Sequence, residues 1–196
     1  METWIKKVVP VATLHHQEET EEVLSCLRES GLKVIEITFR TEYATEAIKY
    51  AVKNYSDILV GAGTVINKKQ CKEALRAGAQ FIVGPGFSKE VAQLCKRAKV
   101  LYIPGVVTPS EVQEAVNCGL SILKFFPYST FGELNTVNAL AGPFPQVKFM
   151  LTNGITEGNF PELLQSSHVI AVGGSWMLKG SREEKMQKMK IIMENL

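Results

Sequence analysis

The sequence predicts an α/β protein folded as a single (β/α)8 TIM barrel, and three observations carry that expectation. Eight short runs rich in β-branched and aromatic residues alternate with longer amphipathic segments along the 196 residues. The connections between them are short, and small residues, glycine above all, follow nearly every run. Strands joined through helices by short loops must run parallel with the helices outside them, and eight such units favour closure into a barrel. An open doubly wound sheet is the alternative, but no GxGxxG opens the first helix.

The runs are VVPVAT at 8–13, VIEITFR at 34–40, ILVGAG at 58–63, FIVGPG at 81–86, LYIPGV at 101–106, SILKFF at 121–126, VKFMLT at 147–152 and VIAVGG at 169–174. Helical periodicity fills the spaces between, as in EETEEVLSCLRES at 18–30, TEAIKYAVKNY at 45–55, KKQCKEALRAG at 68–78, SKEVAQLCKRA at 88–98 and PSEVQEAVNCG at 109–119, with SREEKMQKMKIIMENL at 181–196 after the last run. Several of these segments end in glycine, as helix C-caps do. No linker or low-complexity stretch divides the chain, so residues 1–196 read as one domain.

Charge narrows the partners. The chain carries 22 Lys and Arg against 20 Asp and Glu, with no long single-sign run, so nucleic acid is not an expected partner. Cys26, Cys71, Cys95 and Cys118 are widely spaced, form no metal motif or disulfide framework, and read as reduced core residues. The opening METWIKKVVPVATL lacks an apolar leader with a cleavage site, and no stretch approaches the roughly 20 apolar residues of a membrane span. The expected setting is the cytoplasm, with no membrane partner.

The sharpest chemical signal is Lys124, inside the apolar run SILKFF. Lysine is almost never fully buried without a partner, and strand alternation sets Ile122, Lys124 and Phe126 on one face. Desolvation lowers a lysine pKa and frees a neutral amine to attack a ketone and form an imine; a snorkelling or ion-paired structural lysine is the plainer alternative. In VIEITFR the same alternation sets Glu36, Thr38 and Arg40 opposite Ile35, Ile37 and Phe39. A structural ion pair inside the barrel explains Glu36 and Arg40 as well as chemistry does. Beside a buried lysine, Glu36 gains a role as proton shuttle and Arg40 as carboxylate clamp. Such shuttling needs Lys124 and Glu36 within hydrogen-bond reach, directly or through one water. The last rim segment, AVGGSWMLKG, resembles an anion cradle, in the place where barrels commonly bind phosphate. Trp176 reads as a packing anchor, and Met186, Met189 and Met193, at helical spacing, as core or subunit contacts. His15, His16 and His168 form no metal-ligand motif, and neither a metal nor another cofactor is expected.

IEITFRTEYA, GAGTV, IPGVVTPSE, LKFFP, ALAGPFPQVKF and VGGSW, in this order over essentially the whole chain, resemble the signatures of the KDPG/KHG aldolase family. The resemblance implies a homotrimeric, metal-independent class I aldolase acting on a small 2-keto acid. It would release pyruvate from 2-dehydro-3-deoxy-6-phosphogluconate or from 4-hydroxy-2-oxoglutarate. It implies Lys124 as the imine-forming residue, Glu36 as general acid/base, and Arg40 with Thr64 at the pyruvate carboxylate. It further implies a stereochemical role for Thr152 and a phosphate cradle of Gly154, Gly174 and Ser175. The chain departs from the family pattern in LTNG at 151–154, where PTGG is usual, and in FPYSTFGE at 126–133, where FPA precedes a Glu and a Gly-Gly pair. Asn153 adds bulk there, and Tyr128 is expected to crowd or reshape the sixth loop. A phosphosugar epimerase or isomerase on the same barrel, and a pyruvate-binding barrel without turnover, are the competing readings.

Overall fold

The computed structural model describes residues 8–196; residues 1–7, on which the leader reading partly rests, lie outside the described residues. Each run becomes a parallel strand: β1 Val8–Ala12, β2 Val34–Thr38, β3 Leu59–Gly63, β4 Phe81–Val83, β5 Leu101–Ile103, β6 Gly105–Val106, β7 Ile122–Phe125, β8 Lys148–Thr152 and β9 Val169–Gly174. The expected eight are nine because Pro104, which has no N–H for the ladder, splits the fifth run into β5 and β6. That break closes the barrel. The sheet order is β5-β4-β3-β2-β1-β9-β8-β7-β6, so its two ends are consecutive pieces of one chain segment. The Lys124 N–H donates to the Pro104 carbonyl at 2.8 Å, and the Gly105 N–H to the Gly84 carbonyl at 3.0 Å, tying the seam. The result is a single (β/α)8-type barrel.

Among the described residues eight α-helices wrap it: α1 Gln17–Ser30, α2 Ala44–Asn54, α3 Lys68–Ala77, α4 Lys89–Ala98, α5 Pro109–Asn117, α6 Glu133–Ala141, α7 Phe160–Leu163 and α8 Arg182–Glu194. Their starts follow capping chemistry. Thr108 with Glu111 and Ser181 with Glu184 form capping boxes on α5 and α8, and the His16 ring accepts the Glu19 N–H at the start of α1. The weakly signalled α6 and α7 lack a side-chain cap, and α7 is a single turn.

Strand alternation divides the apolar residues between two cores. Ile35, Ile37, Leu123, Phe125 and Leu151 face outward into the layer beneath the helices. Val9, Val34, Phe81, Val83, Ile103, Ile122, Met150 and Ala171 fill the inside of the barrel. Phe81 is accommodated because Gly61 on β3 has no side chain; a Cβ there would collide with the Phe81 ring. Cys26, Cys71 and Cys95 are buried, as expected, whereas Cys118 follows the end of α5 and is half-exposed. The sulfurs of Cys71 and Cys95, on neighbouring α3 and α4, are 3.8 Å apart and unbonded as a disulfide. Met189 packs in the core, and Met193 remains 37% exposed.

Phe81 fills most of the floor near β3, so Phe81→Ala leaves a cavity that glycine-lined walls cannot fill. Urea denaturation is expected to show a loss of about 3–5 kcal/mol; a loss under 1 kcal/mol contradicts this packing.

Candidate active site

Above the apolar floor, the next inward position on several strands is polar or empty. Lys124 stands two residues beyond Ile122, Glu36 two beyond Val34, and Thr152 two beyond Met150. These side chains are buried: Lys124 is 5% exposed, Glu36 1% and Thr152 5%. Thr38, the next inward residue of β2, is also buried, and its hydroxyl pairs with that of Thr13 at 2.9 Å. Room for the Glu36 carboxylate comes from Gly63, where any Cβ would overlap it.

Burial sets the protonation behaviour. Desolvation holds the Lys124 amine below its ordinary 10.5; Glu36 opposes that shift and Arg40 adds to it. Burial pushes Glu36 up, opposed by Lys124 and then Arg40. The Glu36 Oε2 and Thr152 Oγ1 atoms are buried with no hydrogen-bond partner among the described residues. Glu36 and Lys124 influence each other through space; a direct hydrogen bond between them, one of the two expected arrangements, is not formed among the described residues. The amine instead lies 4.8 Å from the centroid of the Phe126 ring, within cation–π range.

A cavity of about 400 Å³ opens over this cluster, its walls including Arg40, Lys124, Thr152, Gly174 and Ser175. Arg40 lies just past β2 and its Nε donates to Thr64 Oγ1 at 3.1 Å, which holds the guanidinium at the mouth. Thr64 takes a left-handed backbone, φ +55°, a strained conformation for a β-branched residue. Of the other predicted residues, Glu36, Thr64 and Gly154 stand outside its lining. Gly154 sits against Ser129, where a Cβ would clash. Asn153 does line the cavity, at φ +76°, a left-handed conformation that asparagine tolerates better than most residues. Its Oδ1 accepts from Ser129 Oγ at 2.9 Å, latching the loops after β7 and β8 together. Tyr128 is 4% exposed and packs edge-on against Phe125, so its side chain turns into the outer core at the start of the loop after β7. Trp176 stacks on Phe160 with centroids 5.9 Å apart, the anchoring role expected of it.

Sequence reasoning passed over Thr13, Lys179 and Lys185, which also line the cavity. Thr13 ends the first run, a position that alone flags a rim residue. Lys185 lies on α8, and nothing in its sequence neighbourhood marks it.

A parallel barrel with a buried amine, a carboxylate and a guanidinium at the carboxyl ends of its strands has the layout of a barrel enzyme. Comparison with known proteins makes this specific. The family profile described as "Aldolase: KDPG and KHG aldolase" matches residues 2–192. The 2-dehydro-3-deoxy-phosphogluconate aldolase of Treponema pallidum is 40% identical over 172 residues, covering 88% of this chain and 82% of that protein. The crystal structure of 2-keto-3-deoxy-6-phospho-gluconate aldolase from Zymomonas mobilis superposes with a TM-score of 0.90 at 33% identity, over 96% of this chain and 92% of that one. The KDPG aldolase of Legionella pneumophila, in a structure with pyruvate captured as a covalent carbinolamine intermediate, superposes with a TM-score of 0.87 at 34% identity, over 97% and 92% of the two chains. The chain belongs to the KDPG and KHG aldolase family.

Because Arg40 lowers the Lys124 pKa, Arg40→Gln is expected to raise it. Reductive methylation of Lys124 by formaldehyde, which needs the neutral amine, should then reach half its maximal rate at higher pH than in the wild type. A shift to lower pH contradicts the electrostatic assignment.

Proposed function

We propose that the chain is a metal-independent class I aldolase that cleaves 2-dehydro-3-deoxy-6-phosphogluconate to pyruvate and glyceraldehyde 3-phosphate, and 4-hydroxy-2-oxoglutarate to pyruvate and glyoxylate. The observation that carries this reading is the buried Lys124 amine, held below its ordinary pKa, at the base of a cavity that also presents Arg40. The covalent pyruvate carbinolamine of the Legionella pneumophila relative supports it.

The chemistry follows from the placement. Arg40, steadied by Thr64, pairs with the substrate carboxylate through a charge-assisted contact. The neutral Lys124 amine attacks the C2 ketone, and the carbinolamine loses water to become a protonated imine. A base takes the C4 hydroxyl proton, the C3–C4 bond breaks, and its electron pair flows to the imine nitrogen to leave an enamine and the free aldehyde. Glu36, a carboxyl of raised pKa, serves as the acid and base that move these protons. Protonation of the enamine at C3 and hydrolysis of the imine release pyruvate and restore Lys124. Thr152 Oγ1, buried and unpaired among the described residues, lines the cavity and is available to orient the C4 hydroxyl. Gly174 and Ser175 face the far end of the substrate, with Gly154 in the adjoining loop.

A homotrimer is the proposed assembly. A cyclic trimer is heterologous and needs two different patches; the exposed Ile66, at 59%, and Phe131, at 47%, stand on separate rim loops. A cytoplasmic setting is proposed on the four free cysteines. Among the described residues no helix is long and apolar enough to cross a membrane.

Pyruvate release, followed through lactate dehydrogenase, tests the reading. Lys124→Arg keeps the charge but cannot form the imine under these conditions, and is expected to lower kcat at least 10³-fold, about 4 kcal/mol of barrier. Retained turnover would refute imine catalysis at Lys124. In sedimentation, Ile66→Glu with Phe131→Glu should shift the protein toward monomer; an unchanged trimer would place the interface elsewhere.

A further inference from the structure

We infer that Asn153, pinned by Ser129, is a specificity-determining residue that favours a carboxylate on C4 of the keto acid, as 4-hydroxy-2-oxoglutarate carries, over a longer hydroxylated chain. The inference rests on the aldolase reading above and concerns the substituent beyond the bond that breaks.

Strand order sets where a bound substrate runs. Arg40 follows β2 and Asn153 follows β8, with β9 and β1 between those strands, while Lys124 lies on β7, the neighbour of β8. A keto acid with C1 at Arg40 and C2 on Lys124 therefore extends away from Arg40 along the β8 wall, past Thr152 to Asn153, both of which line the cavity. There the Asn153 amide is held in one orientation. Ser129 Oγ donates to its Oδ1 at 2.9 Å, and the Ser129 N–H donates to its carbonyl at 3.3 Å. Asn159 braces the same loop, its Nδ2 donating to the Gly154 carbonyl at 2.9 Å and its Oδ1 accepting the Thr156 N–H at 2.8 Å. Ser129 stands outside the cavity lining, so the amide turns its oxygen away from that lining. The Nδ2 hydrogens have no acceptor among the described residues, and theirs is the edge left to meet a ligand. The backbone here, at φ +76°, is one that glycine adopts freely; this chain holds a side chain there instead.

The two acids differ at the atom that reaches this place. C5 is a carboxylate in 4-hydroxy-2-oxoglutarate and a hydroxyl-bearing carbon that continues to C6 in 2-dehydro-3-deoxy-6-phosphogluconate. A carboxylate accepts an amide N–H through a charge-assisted bond, about twice as strong as the neutral bond a hydroxyl makes. The Asn153 side chain also takes room that the longer chain needs. Both effects favour the dicarboxylate.

Steady-state kinetics on both acids give the readout, the ratio of kcat/KM for 4-hydroxy-2-oxoglutarate to that for 2-dehydro-3-deoxy-6-phosphogluconate. Asn153→Gly, which suits the left-handed backbone, should lower that ratio roughly five- to tenfold, the size of one partly exposed charge-assisted contact. Asn153→Asp keeps the shape and the acceptor for Ser129 but replaces the donors with a charge that repels a carboxylate, and should lower the ratio at least as far. A ratio that either variant leaves within about twofold of the wild type, or raises, would overturn the inference. Borohydride trapping of pyruvate on the wild type separates the two levels: an adduct with an unmoved ratio sinks this inference alone, and no adduct sinks the aldolase reading with it.

Discussion

Taking a lysine amine and a glutamate carboxylate out of water inside one barrel is the constraint on which the rest of the site depends. Stripping an ion of its hydration costs several kcal/mol even after relaxation, and a nearby opposite charge offsets part of that cost. Lys124 and Glu36 therefore sit in a balance in which burial drives each toward its neutral form and each partner pulls the other back. Arg40 tilts that balance at the mouth, favouring the carboxylate and disfavouring the ammonium. A neutral amine is the nucleophile imine chemistry requires, and a carboxyl of raised pKa can both give and take a proton. The same electrostatic arrangement thus supplies both partners of the proposed reaction.

The scaffold exists in a form that permits this balance. The inner floor from Val9 to Ala171 is apolar and keeps one side of the cluster dry. Gly63 yields the volume that the Glu36 carboxylate occupies, so a residue with no functional group is as much a condition of the site as the carboxylate itself. Pro104 breaks a strand and leaves its carbonyl to receive the Lys124 N–H, which seats the lysine at the closing seam. At the mouth the requirement relaxes: the loops after β7 and β8 are joined through Ser129 and Asn153.

Much of this was legible in the sequence because strand alternation is a strict geometric rule. The inward placement of Glu36, Thr38 and Lys124 and the outward placement of Ile35 and Ile37 follow from period two alone. The break at Pro104 does not show in the sequence, since the surrounding run LYIPGV is otherwise a strand, and α6 and α7 carry no side-chain cap, α7 being a single turn. The turn of the Tyr128 side chain toward Phe125 is set by tertiary packing, which its position after the strand does not reveal. Lys185 illustrates the main limit. It reaches the cavity from a helix outside the barrel, and only the packing of α8 against α1 shows that it does.

The most direct test of a catalytic Lys124 is to reduce the protein with borohydride in saturating pyruvate and a chelator, then map the modified residue by mass spectrometry. A reduced pyruvyl adduct on Lys124 is the predicted result. A folded protein that forms no adduct, or forms it on another lysine, would contradict the account.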